Sequence, residues 1–146
     1  MTTRTLTAVV HKEDDLYVVN TTLPFHSYTV TPANPWLNEI SEHHPYAYKI
    51  MMNPAPAGKK GVRDGDLVWV ESSAGKVKGR VKVTECIHPE VLGIAGAFGG
   101  WAKGKPIARG KGIHFNSLIP FSLDRIDVIS NGLDACVKVK VYKAEG

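Results

Sequence analysis

A glycine-rich basic segment between Phe98 and Ser117 carries residue types that bind anions. Two adjacent glycines, Gly99 and Gly100, lack the Cβ atoms that would keep an oxyanion away from the backbone N–H groups. Four cationic residues follow without an acidic neighbour: Lys103, Lys105, Arg109 and Lys111. The composition predicts a loop that attracts anions, although a solvated basic surface would have the same sequence pattern.

Serine nucleophiles and metal clusters have no support in the sequence. Ser72 and Ser73 stand beside a turn without the GxSxG pattern, and no cysteine and histidine form a recognisable catalytic pair. His43 and His44 are adjacent, so their rings point apart on a helix or a strand, and no acid or cysteine completes a ligand set. We therefore predict no catalytic residue and no metal site within this chain.

The length and composition indicate one core. A chain of 146 residues with 43% hydrophobic and 22% charged residues is an ordinary globular domain rather than a disordered or fibrous one. Its longest stretch without charged or strongly polar residues, Val91–Ala102, is too short and too rich in glycine and alanine to span a membrane. The first fifteen residues show no secretory signal, so a cytoplasmic location is the default expectation, although a longer parent enzyme could be exported.

The two cysteines bear on the redox state of the chain. Cys86 and Cys136 lie 50 residues apart and belong to no metal-binding or redox motif. Small secreted domains usually carry four or more cysteines, so we expect buried, reduced thiols rather than a disulfide.

Short strands separated by turns must position the reactive segments. Six strands are predicted, at residues 16–22, 46–52, 67–71, 76–84, 91–95 and 136–142. Two of them, 76–84 and 136–142, alternate apolar and basic residues with a period of two, which predicts one face in the core and one in water. The apolar run at 67–71 predicts a strand buried on both faces.

Few helices are expected beside these strands. Pro35 suits the first turn of a short helix that would place Trp36, Leu37 and Ile40 on one face. Asn53 is the predicted N-cap of a second helical turn that reaches Lys60. Several short strands with few helices predict a closed or nearly closed β-barrel, in which the long segment 98–117 is the natural place for function.

The order of these features resembles a known family. The motifs that carry the resemblance are Asn53-Pro54, Gly61-Val62-Arg63-Asp64-Gly65-Asp66, Val68-Trp69-Val70, Ile87-His88-Pro89, Asn116-Ser117-Leu118 and Ala135-Cys136-Val137. Together they are similar to the C-terminal domain of molybdopterin oxidoreductases of the dimethyl sulfoxide reductase superfamily. The resemblance implies a mainly β fold, a double-psi β-barrel with a few short helices, over residues 16–146. Residues 1–15 would then be a linker or terminal arm.

The resemblance also implies a ligand, molybdopterin guanine dinucleotide carrying molybdenum or tungsten. The loop after the first strand would reach this cofactor through Thr21, Thr22, Leu23, His26, Ser27 and Thr29. The other implied contacts are Asn53 at a nucleotide end, Gly99, Gly100 and Trp101 by the pterin or pyrophosphate, and Asn116 at the pterin edge. The residue types suit these roles, because an amide offers a donor and an acceptor in one plane and hydroxyls donate to phosphate oxygens.

The same resemblance implies a partner. In this family the metal ligand comes from a different domain, so the present chain is expected to be inactive alone and to work with a large catalytic domain or subunit of a parent oxidoreductase. Both a domain of one long polypeptide and a separate small subunit remain open. The pattern departs at Asp134, where many members carry a lysine, so no cationic contact is expected there.

A basic strand face supports an alternative function. Residues 59–111 carry eleven basic and five acidic side chains, a net charge of +6. Four of the basic residues alternate along one predicted strand: Lys76, Lys78, Arg80 and Lys82. A stand-alone β-barrel could bind nucleic acid or protein through this stripe. Nucleic acid is disfavoured because Trp69 is the only aromatic residue nearby for base stacking.

Overall fold

The computed structural model describes residues 15–144, and its six strands close into a barrel. Its strands and α-helices are β1 (Leu16–Thr21), α1 (Pro35–His43), β2 (Lys49–Met52), α2 (Pro54–Lys59), β3 (Leu67–Glu71), β4 (Lys76–Val83), β5 (Val91–Ala95) and β6 (Val137–Lys143). Short 3-10 turns cover Phe115–Leu118 and Leu123–Arg125. The predicted double-psi β-barrel with a few short helices is confirmed as the fold class. The predicted terminal arm, residues 1–15, lies outside the described residues except for Asp15.

The strand directions define two edges of the barrel. The order around the barrel is β1-β5-β2-β4-β3-β6, with β1–β5 and β2–β4 parallel and the other neighbours antiparallel. Consequently β1 and β5 end where β2 and β4 begin, and we name this the site edge. The opposite edge, where β2 and β4 end, is the far edge.

Alternate residues of the strands fill the barrel interior. The largest fully buried apolar side chains are Val18, Ile50, Met52, Val68, Val70, Val81, Leu92, Ile94, Leu118 and Val139. Val137, Val139 and Val141 of β6 all belong to this core, as their alternation with lysines predicted. A barrel strand has only one face toward the core, so the period of two survives in the folded chain.

Two strand predictions are wrong in detail. The strand β3 is not buried on both faces, because Trp69 lies on the outer wall and is only half-buried. The amines of Lys76 and Lys78 lie 4.6 and 5.4 Å from the centroid of the Trp69 ring, so the outward ring is covered by charged side chains. The strand β2 begins at Lys49 rather than at residue 46, since residues 45–48 form turns.

The helix α1 presents a different face from the predicted one. Trp36 and Ile40 are 76% and 50% exposed and Leu37 is half-buried, whereas Asn38 and Ser41 are buried. The inner polar residues are satisfied by hydrogen bonds, as when the Tyr48 hydroxyl donates to Asn38 Oδ1 at 2.9 Å. The periodicity of apolar residues therefore does not report how this helix packs.

The cysteine prediction holds only in part. Cys86 and Cys136 are unpaired, as expected, but both are exposed rather than buried. Cys86 lies in a turn and Cys136 directly precedes β6, so neither side chain reaches the barrel interior. Within residues 15–144, no helix is long and apolar enough to cross a membrane.

Candidate functional site

Two long segments leave the barrel side by side at the site edge. Because β1 and β5 are parallel, with Thr21 opposite Ala95, the chain exits both strands in the same direction. We name residues 22–34 the first loop and residues 96–114 the second loop. Asn20 Oδ1 accepts a hydrogen bond of 2.9 Å from the Gly96 N–H and joins the two exits. The parallel pairing thus brings the predicted contacts of the first and second loops to one edge.

His26 anchors the first loop to α1. Its side chain is only 5% exposed, and its ring centroid lies 5.2 Å from the ring centroids of both Phe25 and Phe98. The Nε2 atom lies 2.6 Å from Ser41 Oγ, and the Nδ1 atom lies 3.1 Å from Thr31 Oγ1. Both ring nitrogens therefore have partners within this chain.

These partners determine which ring nitrogen carries the proton. Ser41 Oγ donates its proton to the Leu37 carbonyl at 3.0 Å, so it can only accept from the Nε2–H of His26. Nδ1 then accepts the hydroxyl proton of Thr31, whose Oγ1 in turn accepts the Ser27 N–H at 2.8 Å. The network holds a neutral ring, and burial lowers the pKa of His26 below its ordinary value.

The stability of the chain is expected to fall at acid pH because of this ring. The pKa of His26 is lowered in the folded state, whereas a histidine in an unfolded chain has a pKa of about 6.5. The unfolded chain therefore binds this proton more readily than the folded chain. The free energy of unfolding should therefore decrease as the pH falls from about 7 through the lowered pKa. Urea unfolding at a series of pH values measures this slope, and His26→Gln should flatten it. An unchanged slope in that variant would contradict a buried neutral ring.

Close backbone contacts around Gly99 hold the second loop. The Gly99 N–H donates to the Lys111 carbonyl at 2.7 Å, and the Gly110 N–H donates to the Gly100 carbonyl at 3.1 Å. Gly99 has a φ of +81°, and a Cβ atom on it would lie 2.1 Å from the backbone nitrogen of His114. Gly100 differs, since no described atom lies within 4 Å of the place of its Cβ. Gly99 is thus required by the loop itself, whereas the backbone of Gly100 is open.

Further contacts join the two loops and α1 into one surface. Lys105 Nζ donates to the Thr29 carbonyl at 2.8 Å, and Lys111 forms an ion pair with Glu42 of α1. The hydrogen bond from Lys111 is the main reason that the pKa of the Glu42 carboxyl lies below its usual value. Two of the four cations predicted to attract anions are therefore used within the chain. The two others are exposed: Lys103 and Arg109.

The first loop keeps polar groups at the surface. Thr22, Ser27 and Thr29 are exposed, and their hydroxyls make no hydrogen bond to any residue in the described range 15–144. Thr21 is half-buried at the end of β1, and Leu23 packs against a small apolar cluster beneath the loop. Of the predicted contacts of this loop, the three exposed hydroxyls are available to a ligand, whereas Thr21 and Leu23 are partly buried in the chain itself.

Trp101 and Asn116 are connected through His114. The Trp101 ring is 66% exposed and lies 4.6 Å from the His114 ring, centroid to centroid. The Nδ1 atom of His114 lies 2.8 Å from the hydroxyl of Ser117, in the same 3-10 turn as Asn116. The exposed amide of Asn116 has no side-chain hydrogen bond within the part of the chain that the structure describes.

Asn53 lies at the far edge, apart from the other predicted contacts. The strand β2 runs antiparallel to β5, with Met52 opposite Leu92, so the chain leaves β2 away from the two loops. Asn53 Oδ1 accepts the Ala55 N–H at 3.0 Å, which confirms the predicted N-cap. Its Nδ2 donates to the Ile87 carbonyl at 2.8 Å, so both ends of the amide are used locally.

A cleft also opens at the far edge. Its volume is about 370 Å³, and its lining includes Leu16, Tyr17, Pro56, Lys59, Glu90 and Lys138. None of these residues belongs to the first or second loop, so the cleft is not part of the site edge. Throughout residues 15–144, no three histidine, cysteine, aspartate or glutamate side chains lie close enough together to hold a metal ion.

The sequence analysis missed several supporting residues. His114 stands between two buried residues, Ile113 and Phe115, and this alternation is a signal that could have marked it as half-buried. No comparable signal exists for Ser41, because its contact with His26 depends on how α1 docks. The supports of the site are thus harder to predict than its exposed groups.

Contacts within the chain occupy the basic outer face of β4. Beside Lys76 and Lys78, which cover a tryptophan ring, Lys82 pairs with Asp64 at 3.0 Å. Arg80 Nη1 donates to the carbonyl of a turn residue before β3 at 3.1 Å. These partners disfavour the alternative in which the stripe binds nucleic acid.

Known proteins are similar to this chain in sequence or in fold. Residues 16–132 match the family model described as "Molydopterin dinucleotide binding domain". The thiosulfate reductase molybdopterin-containing subunit PhsA of Salmonella typhimurium is 33% identical over 109 residues, which are 75% of this chain and 14% of that protein. The molybdopterin-containing ArrA subunit of arsenate respiratory reductase from Chrysiogenes arsenatis is 29% identical over 101 residues, covering 65% of this chain and 12% of that protein. The structure of acetylene hydratase from Pelobacter acetylenicus has the same fold, with a TM-score of 0.66 at 14% identity over 88% of this chain and 18% of that one.

These similarities define the class of the chain. It belongs to the molybdopterin dinucleotide-binding domain family, and the resemblance to molybdopterin oxidoreductases is confirmed. The chain spans only 14% and 12% of the lengths of these two curated relatives. It is therefore homologous to one domain of larger molybdoenzymes.

Proposed function

We propose that this chain holds a molybdopterin guanine dinucleotide at its site edge, as a domain or small subunit of a molybdenum or tungsten oxidoreductase. One observation carries the proposal: the two loops leave parallel strands together, are fastened to each other, and still present unpartnered polar groups among the described residues. Membership of the family supports a molybdopterin dinucleotide as the ligand. The proposal goes further in two respects: the nucleotide base of the ligand is guanine, and the parent enzyme is an oxidoreductase.

The groups at the site edge suit the chemistry of such a ligand. Asn116 is one of them, because its neighbour Ser117 packs against Gly75, in the turn just before β4 begins. The Asn116 amide offers an acceptor and a donor in one plane, as the edge of a pterin ring requires. The open backbone at Gly100 allows a pyrophosphate to approach its N–H group. The hydroxyls of Thr22, Ser27 and Thr29 can donate to phosphate oxygens. These five residues are the contacts that we propose.

The remaining predicted residues receive other roles. Lys103 and Arg109 are exposed on the second loop, where they would attract the charge of the pyrophosphate. His26 and Gly99 position the loops, because their polar groups are already paired within the chain. Asn53 caps α2 at the far edge, and we propose no cofactor contact for it.

The cofactor, this chain and the rest of the parent enzyme would each contribute a different part of the activity. When bound, the cofactor supplies the metal and its electron transfer. The residues of this chain would bind and orient the organic part of the cofactor. A metal ligand would come from a large catalytic domain or subunit of the parent, so we expect the chain alone to be inactive.

Asn116→Ala in the complete parent enzyme is the direct test of the site. Loss of an amide that hydrogen-bonds to the pterin ring should weaken dinucleotide binding by roughly tenfold or more, about 1.4 kcal/mol. The barrel should stay folded, because the Asn116 side chain is exposed. Pterin and molybdenum or tungsten content per protein measures the loss, and mass spectrometry of the released nucleotide identifies guanine. The control is Glu85→Ala, which removes an exposed polar side chain from the turn after β4, at the far edge. Unchanged cofactor content in Asn116→Ala would remove this residue from the site.

A further inference from the structure

A small hairpin precedes β6 and has its own polar scaffold. We name residues 125–134 the hairpin; its two sides meet in a bridge between Ile126 and Leu133. The Asp134 N–H donates to the Arg125 carbonyl at 2.8 Å, and the side chains of the same two residues form an ion pair at 3.2 Å. Arg125 Nη2 also donates to the Cys136 carbonyl at 3.1 Å, which fixes the base of the hairpin to the start of β6.

The tip of the hairpin is equally well ordered. Asp127 Oδ1 accepts the N–H groups of Ile129 and Ser130 at 2.9 and 2.7 Å, and the Ser130 hydroxyl at 3.0 Å. The Asp127 N–H donates to the Gly132 carbonyl at 2.9 Å. These hydrogen bonds lower the pKa of the Asp127 carboxyl, so its charge persists at neutral pH. The turn is thus a preformed shape rather than a loose loop.

This shape presents apolar side chains to solvent. Val128 and Ile129 at the tip are 89% and 91% exposed, and Phe121 and Leu123 just before the hairpin are 75% and 77% exposed. Turns in water usually carry polar residues at such positions, and several large exposed apolar residues within one short segment indicate an interaction surface. We name these four residues the apolar tip.

The place of the apolar tip relates it to the site edge. The strand β6 runs antiparallel to β1, with Val137 opposite Val18 in the middle of β1, so the chain enters β6 from the side toward which β1 runs. The hairpin therefore leaves the barrel on the side from which the first and second loops also emerge. A protein body that covers the loops would meet the apolar tip as well.

We propose that the apolar tip is the docking surface for the remaining polypeptide of the parent molybdoenzyme. This inference rests on the proposed function, and the occupant follows from length, because this chain spans only 12–14% of the relatives that it matches. Residues 121–134 carry Asp124, Asp127 and Asp134 against Arg125 alone, a net charge of −2. The complementary surface is therefore an apolar groove with a basic rim on the catalytic body.

Hydroxyl-radical footprinting tests the docking surface. The modification rates of Val128 and Ile129 are compared in the isolated 146-residue chain and in the complete enzyme, with and without its cofactor. We expect rates at least about fivefold lower in the complete enzyme in both cofactor states. Equal rates, or purification of the chain from its own cells without a larger polypeptide, would overturn the proposal.

A paired variant separates docking from cofactor binding. Val128→Asp combined with Ile129→Asp should restore rapid labelling of Phe121 and Leu123 in the complete enzyme. The control, Ala55→Asp, adds charge at an exposed far-edge position and should not change it. An enzyme purified from its own cells with a protected tip but without any pterin dinucleotide would refute the proposed function alone. A loaded enzyme with an unprotected tip would refute the docking alone.

Discussion

Replacing Gly99 by alanine is expected to disrupt the second loop and to release the cofactor from the complete enzyme. A Cβ atom would lie 2.1 Å from the backbone nitrogen of His114. A backbone atom cannot move aside as the end of a flexible side chain could, so the loop itself would have to shift. The φ of +81° adds strain for any residue with a side chain. Together these effects should lower the free energy of unfolding by about 3 kcal/mol. Urea unfolding of the chain and pterin content of the complete enzyme measure the two outcomes.

The neighbouring glycine provides a matched control. Gly100→Ala adds the same methyl group one residue away, where no described atom lies within 4 Å of it. We expect the free energy of unfolding to change by less than about 0.5 kcal/mol, as at an ordinary surface position. Cofactor content should nevertheless fall, since a methyl group at Gly100 would lie where we propose the pyrophosphate. Equal stability of the two variants would contradict the close packing of Gly99.

Replacing His26 by alanine is expected to lower the stability of the chain by a similar amount. The change removes a buried ring that packs between Phe25 and Phe98 and deletes its hydrogen bonds to Ser41 and Thr31. Loss of packing and of buried hydrogen bonds should lower the free energy of unfolding by about 3 kcal/mol. Urea unfolding measures the change, which should appear as a lower midpoint at an unchanged slope.

A histidine on the same helix that His26 contacts provides the comparison. His43 is exposed on α1, and its Nδ1 atom lies 2.9 Å from the Glu39 carbonyl. His43→Ala should change the free energy of unfolding by less than about 0.5 kcal/mol. Similar losses in both variants would mean that the ring of His26 is not a buried anchor. In the complete enzyme, His26→Ala should also lower cofactor content, because the first loop would lose its attachment to α1.

The barrel could be predicted from local patterns. Valines alternate with basic residues along β4 and β6, and this alternation correctly assigned the inner and outer faces of both strands. Asn53 correctly marked the start of α2, because an N-cap acts on the residues directly after it. Such signals depend on neighbours within a few positions, so they survive folding.

The packing of α1 could not be predicted in the same way. Its apolar residues Trp36 and Ile40 face solvent, while Ser41 is buried against His26, fifteen residues earlier in the chain. Periodicity assumes that the apolar face is the buried one. The hydrogen bonds of Asn38 and Ser41 reverse that assumption, and they exist only after the helix has docked.

The same contrast applies to the candidate site. Family resemblance named residues of the first loop, the second loop and Asn53 together, but the sequence has no means to say which of them share an edge. Strand direction decides this: parallel β1 and β5 carry the two loops to one side, whereas antiparallel β2 carries Asn53 to the other. Amino-acid order by itself determined the number of strands, the inner and outer faces of β4 and β6, and the family. Only the closed barrel decided which side chains meet and which remain available to a ligand, because pairing register and direction join residues far apart in the chain.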